Sequence, residues 1–374
     1  MKKNSKNSSC SQSPKRGKKA QRGRMTIGID LGDKTSRYCL LNERGEVLAE
    51  SGVATTKQAL GRVFGARQRC RVALEVGTHS PWVSRLLERL GHEVIVANAR
   101  EVRSISHSSR KDDRRDARML ARLARADPQL LRPIRHRGEQ AQGHLLRIRV
   151  RATLVEVRAK LVNTARGLTK AWGERLPACD TDTMGVRRLE GLPAALRSAL
   201  EPLLREVESL TEKIKACDVE LEQIARKEYP ETELLRQVSG VGALIALTFV
   251  LTLEDANRFA RSREVGCYVG LRPRRKDSGE SRPQLGITKE GDRYLRKMLV
   301  QGAHYILGWR GPDTDLRRWG LKLAERGGPN AKKKAIVGVA RKLAVLLHRL
   351  WVTGEVYEPL RNNTAGPRRK ALAA

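Results

Sequence analysis

An acid set in the middle of an apolar strand constrains this chain more than any other feature. Thr26-Ile27-Gly28-Ile29-Asp30-Leu31-Gly32 reads as a strand, and a carboxylate carried into apolar surroundings is costly unless something pairs with it. Ser36 to Leu41 pairs naturally with that strand. Asn42-Glu43-Arg44-Gly45 then makes a hairpin turn into a third extended piece, Glu46 to Val53. A helix near Lys57 to Ala66 follows, and then the strand Arg71-Val72-Ala73-Leu74-Glu75, which ends on a second acid. Pro81 to Leu90 reads as a helix with proline in its first turn and Val83, Leu86, Leu87 and Leu90 on one face. His92 to Ala97 is a further strand. Leading strands followed by alternating strand and helix predict an α/β domain, a mixed sheet covered by helices.

Beyond this block the pattern turns helical. Lys111 to Ala126 is rich in Ala, Arg and Leu, and Glu139 to Tyr229 is helical almost throughout. Leu154, Val157, Leu161, Ala165 and Leu168 keep helical spacing, as do Leu203, Val207, Leu210, Ile214 and Cys217. With the loop Pro177 to Leu192 between them, they predict a long antiparallel hairpin of coiled-coil type. Val238-Ser239-Gly240-Val241-Gly242 resembles a helix-hairpin-helix turn, whose backbone N–H groups can approach a phosphate. Gly270-Leu271-Arg272-Pro273, a polar loop Arg274 to Pro283, and further helices to Trp351 complete a mainly α part, with Lys332-Lys333-Lys334 ahead of the last helix. The expected division is a basic arm (1–24), an α/β domain (25–136), a helical hairpin (137–229), a mainly helical domain (230–360) and a basic tail (361–374).

Charge narrows the partners. The chain of 374 residues has 75 Lys+Arg against 41 Asp+Glu, a net of +34, and the arm accounts for only nine of those cations. Arginine outnumbers lysine, 52 to 23, and its planar fork suits phosphate and base edges. That excess points to nucleic acid, with an anionic membrane surface the weaker option. Candidate contacts are Arg147, Arg151 and Arg158 on the hairpin, with Arg149 and Arg166 beside them. Gly240 and Gly242 of the glycine turn and Arg272, Arg274 and Arg275 of the polar loop complete the set. A spanning helix is not expected: the longest mostly apolar run, Val241 to Leu253, falls short of the roughly 20 residues a bilayer demands. The basic N-terminus lacks the apolar run of a signal peptide. Six scattered cysteines without CxxC spacing read as reduced thiols, which fits the cytoplasm.

The acids carry the candidate chemistry. Asp30 and Glu75 lie in strands, and Asp113 and Asp116, three apart, share a helix face. Together they could hold two Mg²⁺ or Mn²⁺ ions, which clamp the attacking and leaving oxygens of a phosphodiester. The plainer alternative pairs each acid with a nearby arginine: Arg110, Arg114, Arg115 or Arg118. Asp33 and Asp112 are read as outlying or surface acids. Gly28 to Gly32 also resembles the first phosphate loop of actin-like kinases, but no second acid-glycine loop follows it.

The ordered set Gly28-Ile29-Asp30, Leu74-Glu75 and Lys111-Asp112-Asp113-Arg114-Arg115-Asp116-Ala117-Arg118 resembles the DEDD-type transposases of insertion sequences, the IS-one-ten family. The second half is similar too, through Gly240-Val241-Gly242, Tyr268-Val269-Gly270-Leu271-Arg272-Pro273, Asp277-Ser278-Gly279, Ile287-Thr288-Lys289-Glu290-Gly291 and Arg341 to His348. The resemblance runs from about Thr26 to Pro359. It implies a RuvC-like, RNase H-type domain, a coiled coil and a serine-bearing transposase domain. It further implies Mg²⁺ at Asp30, Glu75, Asp113 and Asp116, and Ser278 as the nucleophile toward DNA. A bridge RNA pairing with donor and target DNA, a tetramer built as a dimer of dimers, and a nucleoid-associated location complete what it implies. The chain departs from the family at Asp112, where a small polar residue is usual, and in its first 24 residues. On residue chemistry alone Ser278 is an ordinary turn residue. Two other readings stay open, a metal-only junction-resolving nuclease and a non-catalytic RNA-binding protein.

Overall fold

A computed structural model describes residues 25–98, 113–281, 283 and 285–362. The basic arm, Cys10, Arg110, Lys111, Asp112 and tail residues 363–374 lie outside the described residues. The chain divides into two compact units, Met1–His136 and Arg137–Ala374.

The first unit holds the expected mixed sheet. Its strands are β1 (Thr26–Asp30), β2 (Thr35–Leu41), β3 (Val47–Ala54), β4 (Arg71–Glu75) and β5 (Glu93–Ala97), ordered β3-β2-β1-β4-β5. β1 pairs antiparallel with β2 and parallel with β4, and β4 pairs parallel with β5. Alternation along each strand sorts side chains onto two faces. One face buries Ile27, Ile29, Leu40, Val72 and Leu74 against Leu60 and Phe64 of α1 (Lys57–Gly65) and Val83 and Leu87 of α2 (Ser80–Arg89). The other presents the smaller Cys39, Ala73 and Ala97, with Ile95, to α3 (Asp113–Ala126).

Small residues on that second face let α3 come close. A Cβ added at Gly28 would lie 2.0 Å from the Ala117 carbonyl oxygen and 2.4 Å from the Ala121 nitrogen. Both are backbone atoms, so no rotamer change relieves the clash. Gly28→Ala should therefore destabilise by about 1–3 kcal/mol and lower the melting temperature by several degrees in a circular dichroism melt. A melt matching the parent would show that α3 does not rest on β1.

The second unit opens with two long helices, α4 (Glu139–Ala171) and α5 (Ala194–Glu228). Cross-links Gln140–Glu228, Arg151–Asp218 and Arg158–Thr211 show that they run antiparallel. The buried stripe of α4 is Ala141, Leu145, Ile148, Arg158, Val162, Ala165 and Thr169. It is rotated from the expected stripe, for Val157 and Leu168 are exposed. The rotation accompanies two polar residues in the seam. Arg158 donates through Nη1 to Thr211 while its buried Nε has no partner among the described residues, and Thr169 donates to the Ala165 carbonyl.

Short helices follow: α6 (Glu231–Arg236), α7 (Ala243–Leu253) and α8 (Arg263–Tyr268). Then come α9 (Arg293–Leu307), α10 (Asp315–Glu325) and α11 (Ala331–Thr353). α11 runs through the core, burying Val339, Leu343 and Leu347 against Phe249 and Leu299. Lys332, Lys333 and Lys334 stand in the first turn of α11 rather than before it, because Asn330 takes a left-handed conformation and the helix starts at Ala331. The base of the long hairpin shares a cluster with α7 and α9, where Leu145 and Leu221 meet Leu247, Tyr294 and Met298. No helix among the described residues is long and apolar enough to cross a membrane.

Candidate active site

Sheet alternation decides where the strand acids point. Gly28 and Ala73 face α3, so two residues on, Asp30 and Glu75 face the same side. The register sets Ile29 beside Leu74, which leaves Asp30 and Glu75 at the ends of neighbouring parallel strands, each half-buried. α3 runs against both strands. The Arg71 guanidinium at the start of β4 donates to the Ala124 carbonyl at 3.1 Å, while Ala117 and Ala121 sit over Gly28. The first turn of α3, with Asp113 and Asp116, therefore lies toward the end where β1 and β4 finish. Asp113 continues the sheet-facing stripe of Ala117, Leu120 and Ala124 by one turn.

Four carboxylates thus share one edge of the sheet. They are hard oxygen donors of the kind that suit Mg²⁺ or Mn²⁺, and Asp30 and Glu75 each have a polar partner. They are not drawn into one coordination sphere: among the described residues no three His, Cys, Asp or Glu side chains are grouped closely enough to hold a metal ion. Donor chemistry and shared edge fit a divalent cation; the geometry of a closed site is not present.

Arg118, one of the arginines near the α3 acids, binds Glu50 of β3. Its Nε and Nη2 donate to the two carboxylate oxygens at 2.6 and 2.7 Å, a bidentate pair. That guanidinium holds the Glu50 carboxyl below its ordinary range. Burial, followed by the bond to Glu50, pushes the Cys39 thiol up to about 11, and burial does the same for Cys70. Both thiols are fully buried, which disfavours the thiolate. Every cysteine among the described residues is free.

The same edge carries a pair that the sequence reading did not assemble. On spacing Asp33 is an outlying or surface acid, and His79 carries no motif. The Trp82 indole donates to His79 Nδ1 at 3.1 Å, and an indole N–H only donates. Nδ1 therefore accepts, and the imidazole proton sits on Nε2, 3.4 Å from Asp33 Oδ1. The signal was in the chain: Asp33 follows Asp30 by three residues and His79 follows Glu75 by four.

Ser278 belongs to the second unit. There the polar loop is an irregular hairpin, with Pro273 bridging Ile287 and Arg274 N–H bonded to the Gly286 carbonyl. At its tip Ser278 and Ser281 exchange backbone bonds of 3.2 and 3.0 Å around Gly279, whose φ is +55°. Arg296 pins the base, its guanidinium bound to the Val269 and Glu290 carbonyls at 2.9 and 2.7 Å. An exposed serine hydroxyl is thus held on a braced hairpin, with Arg272, Arg274 and Arg275 exposed along it.

The remaining candidate contacts divide. Gly240, at φ +86°, packs on Gly302 and Tyr305, whereas the Gly242 position is open and precedes α7, which has no side-chain cap. Arg151 holds Asp218 through two bonds, and Arg147 pairs with Glu220, so both link the long helices. Arg158 requires correction. It is only 9% exposed and donates to Thr211 inside the hairpin seam, so it cannot reach a nucleic acid.

Known proteins resemble the chain over most of its length. A DEDD-type IS110 model described as "Transposase" matches residues 27–171, and the model of the "Transposase IS116/IS110/IS902 family" matches residues 232–316. The transposase for insertion sequence element IS1111A of Coxiella burnetii is 28% identical, over 88% of this chain and 90% of its own length. A probable family 20 transposase of Pseudomonas aeruginosa is 28% identical, over 89% and 98%. The transposase for insertion sequence element IS1328 of Yersinia enterocolitica is 27% identical, over 75% and 83%. Both halves of the chain thus carry transposase domains of the IS110 family.

Proposed function

We propose that this transposase cuts and rejoins DNA by phosphodiester transfer. Asp30, Glu75, Asp113 and Asp116 hold Mg²⁺ or Mn²⁺, and Ser278 is the attacking group. The observation that supports the reading is the topology, which turns two strand acids and two helix acids of a strongly cationic chain toward one edge of the sheet. The mixed sheet supports a RuvC-like reading of the first unit. A bound divalent cation supplies charge neutralisation at the phosphate. The four carboxylates confer the affinity for it, the Arg118–Glu50 clamp fixes the rotation of α3, and the hairpin arginines draw the DNA backbone toward Ser278.

We infer further that a bridge RNA guides the reaction within a tetramer built as a dimer of dimers. In an RNA-guided system base pairing reads sequence, while the protein holds duplexes by shape and backbone. An arginine-rich chain with 4% aromatic residues suits that division.

The test is reconstitution with donor DNA, target DNA, Mg²⁺ and RNA transcribed from the noncoding sequence beside the reading frame. Joined product that depends on RNA–target complementarity is the expected result. Hydrolysis without joining would instead identify a junction-resolving nuclease, and binding without strand breakage a non-catalytic RNA-binding protein. Nucleic-acid affinity should fall by about 10³-fold between 50 and 200 mM salt, as when six or more phosphates are neutralised. Filter binding across a salt series measures this, and a flat series would remove nucleic acid as the partner.

A further inference from the structure

The most exposed large apolar side chain among the described residues is Trp309, at 84%. A tryptophan left in water gives up a large burial gain, and here the turn holds it there. Gly308 N–H bonds to the His304 carbonyl at 2.9 Å, and Gly311 N–H closes back on the Gly308 carbonyl at 3.1 Å. The Arg317 guanidinium binds the Ile306 and Gly308 carbonyls from beneath. A Cβ at Gly311 would lie 2.3 Å from the Ile306 oxygen, so the turn is tight as well as bonded. Arg310 lies over the indole at 4.4 Å from the ring centroid. The ring is thus presented on a rigid turn with a cation stacked on it.

We propose that Trp309 and Arg310 form a stacking finger for one unpaired base of a single-stranded nucleic acid; this rests on the nucleic-acid reading above. Three observations favour that occupant. From Arg293 to Arg318 the chain carries six cations against two carboxylates, and the Arg317 guanidinium spends its hydrogen bonds on the Ile306 and Gly308 carbonyls. Tyr305, one turn earlier and 47% exposed, lines a recess with Gly240, Gly242, Arg236 and Gln301. That recess sets the glycine turn beside the helix that leads to the finger. The chain neighbours of Trp309 are Gly308, Arg310, Gly311 and Pro312, so no large apolar residue directly flanks the ring in sequence, where a protein-docking patch would favour one. A chain so poor in aromatics is no extended stacking platform, so one ring addresses one base.

The experiment measures binding of the full-length protein to a single-stranded oligonucleotide containing 2-aminopurine, and to a blunt duplex of the same sequence, across a salt series. Trp309→Ala should weaken single-strand binding about tenfold, leave the duplex within about twofold, and keep the salt slope. Arg310→Ala should lower that slope by about 0.7, the change expected for one lost phosphate contact on a single strand. Trp309→Phe should retain most of the affinity. Trp309→Leu, which keeps apolar area without a π-face, should behave like alanine. An unchanged melting temperature guards against misfolding.

Parent-like single-strand affinity for Trp309→Ala, with the parent itself binding steeply with salt, overturns the finger and leaves the nucleic-acid reading standing. A parent that binds neither probe at low salt removes both. Altered sedimentation of Trp309→Ala with unchanged affinity would make the ring a contact between protein copies, and the inference fails.

Discussion

Asp30→Asn and Glu75→Gln should each reduce strand joining by more than about a hundredfold, while nucleic-acid binding and its salt dependence stay close to the parent. Amides keep the shape of the carboxyl group but remove the negative charge that a hard cation requires. Loss of an outlying partner of a metal ligand already costs about 10–100-fold, and a ligand itself should cost more. The positions predict a shared failure: Asp30 and Glu75 end adjacent parallel strands on the face covered by α3. Asp113 and Asp116 stand in the first described turn of that helix, toward the same edge. An Asp113→Asn, Asp116→Asn double variant should fail alike. Activity is not the only readout. Mg²⁺ should raise the melting temperature of the parent, because a ligand that binds only the folded state stabilises it, and should do so far less in the variants. Normal joining by the double variant in Mg²⁺ would show that the four-acid site is wrong.

The sheet was legible because period-two alternation and a glycine-ended hairpin turn are local signals. All five strands fall within a residue or two of where they were read. The shared edge of the acids needed more. It depends on the β1–β4 register and on the direction of α3, which a contact between Arg71 and Ala124, 53 positions apart, reveals. The Arg118–Glu50 clamp spans 68 positions and leaves no local trace. The stripe of α4 was misread for a different reason. Large apolar residues do not mark this seam, because Arg158 occupies a seam position and bonds to Thr211 across it. Polar residues that enter a helix pair with partners do not register in an apolar count. Trp309 was silent as well, since exposure is a property of the turn from Gly308 to Gly311 and not of the residue type.

Ser278→Ala should abolish joining, by on the order of a millionfold, the scale at which removing a serine nucleophile acts elsewhere, with little effect on assembly or folding. Attack by Oγ forms an Oγ–P bond as one backbone P–O bond breaks. The serine proton is given up, and the freed sugar hydroxyl leaves carrying a proton. Under the proposed serine attack the phosphodiester would be exchanged rather than hydrolysed, so rejoining would need no outside energy source. Ser278 is exposed at the tip of a hairpin whose base Arg296 pins, and an alanine there removes one oxygen without leaving a buried group unpaired. A labelled substrate carrying a trapped strand break, run on a denaturing gel, should show a protein–DNA adduct in the parent and none in the variant. Peptide mapping should locate it at residue 278. Ser281 faces Ser278 across the tip through two backbone bonds, so an adduct mapped there would move the nucleophile across the turn and keep the chemistry. Water as the attacking group predicts the opposite pattern, cleavage without adduct in parent and variant alike. Robust joining by Ser278→Ala with no adduct at any residue would discard serine attack altogether.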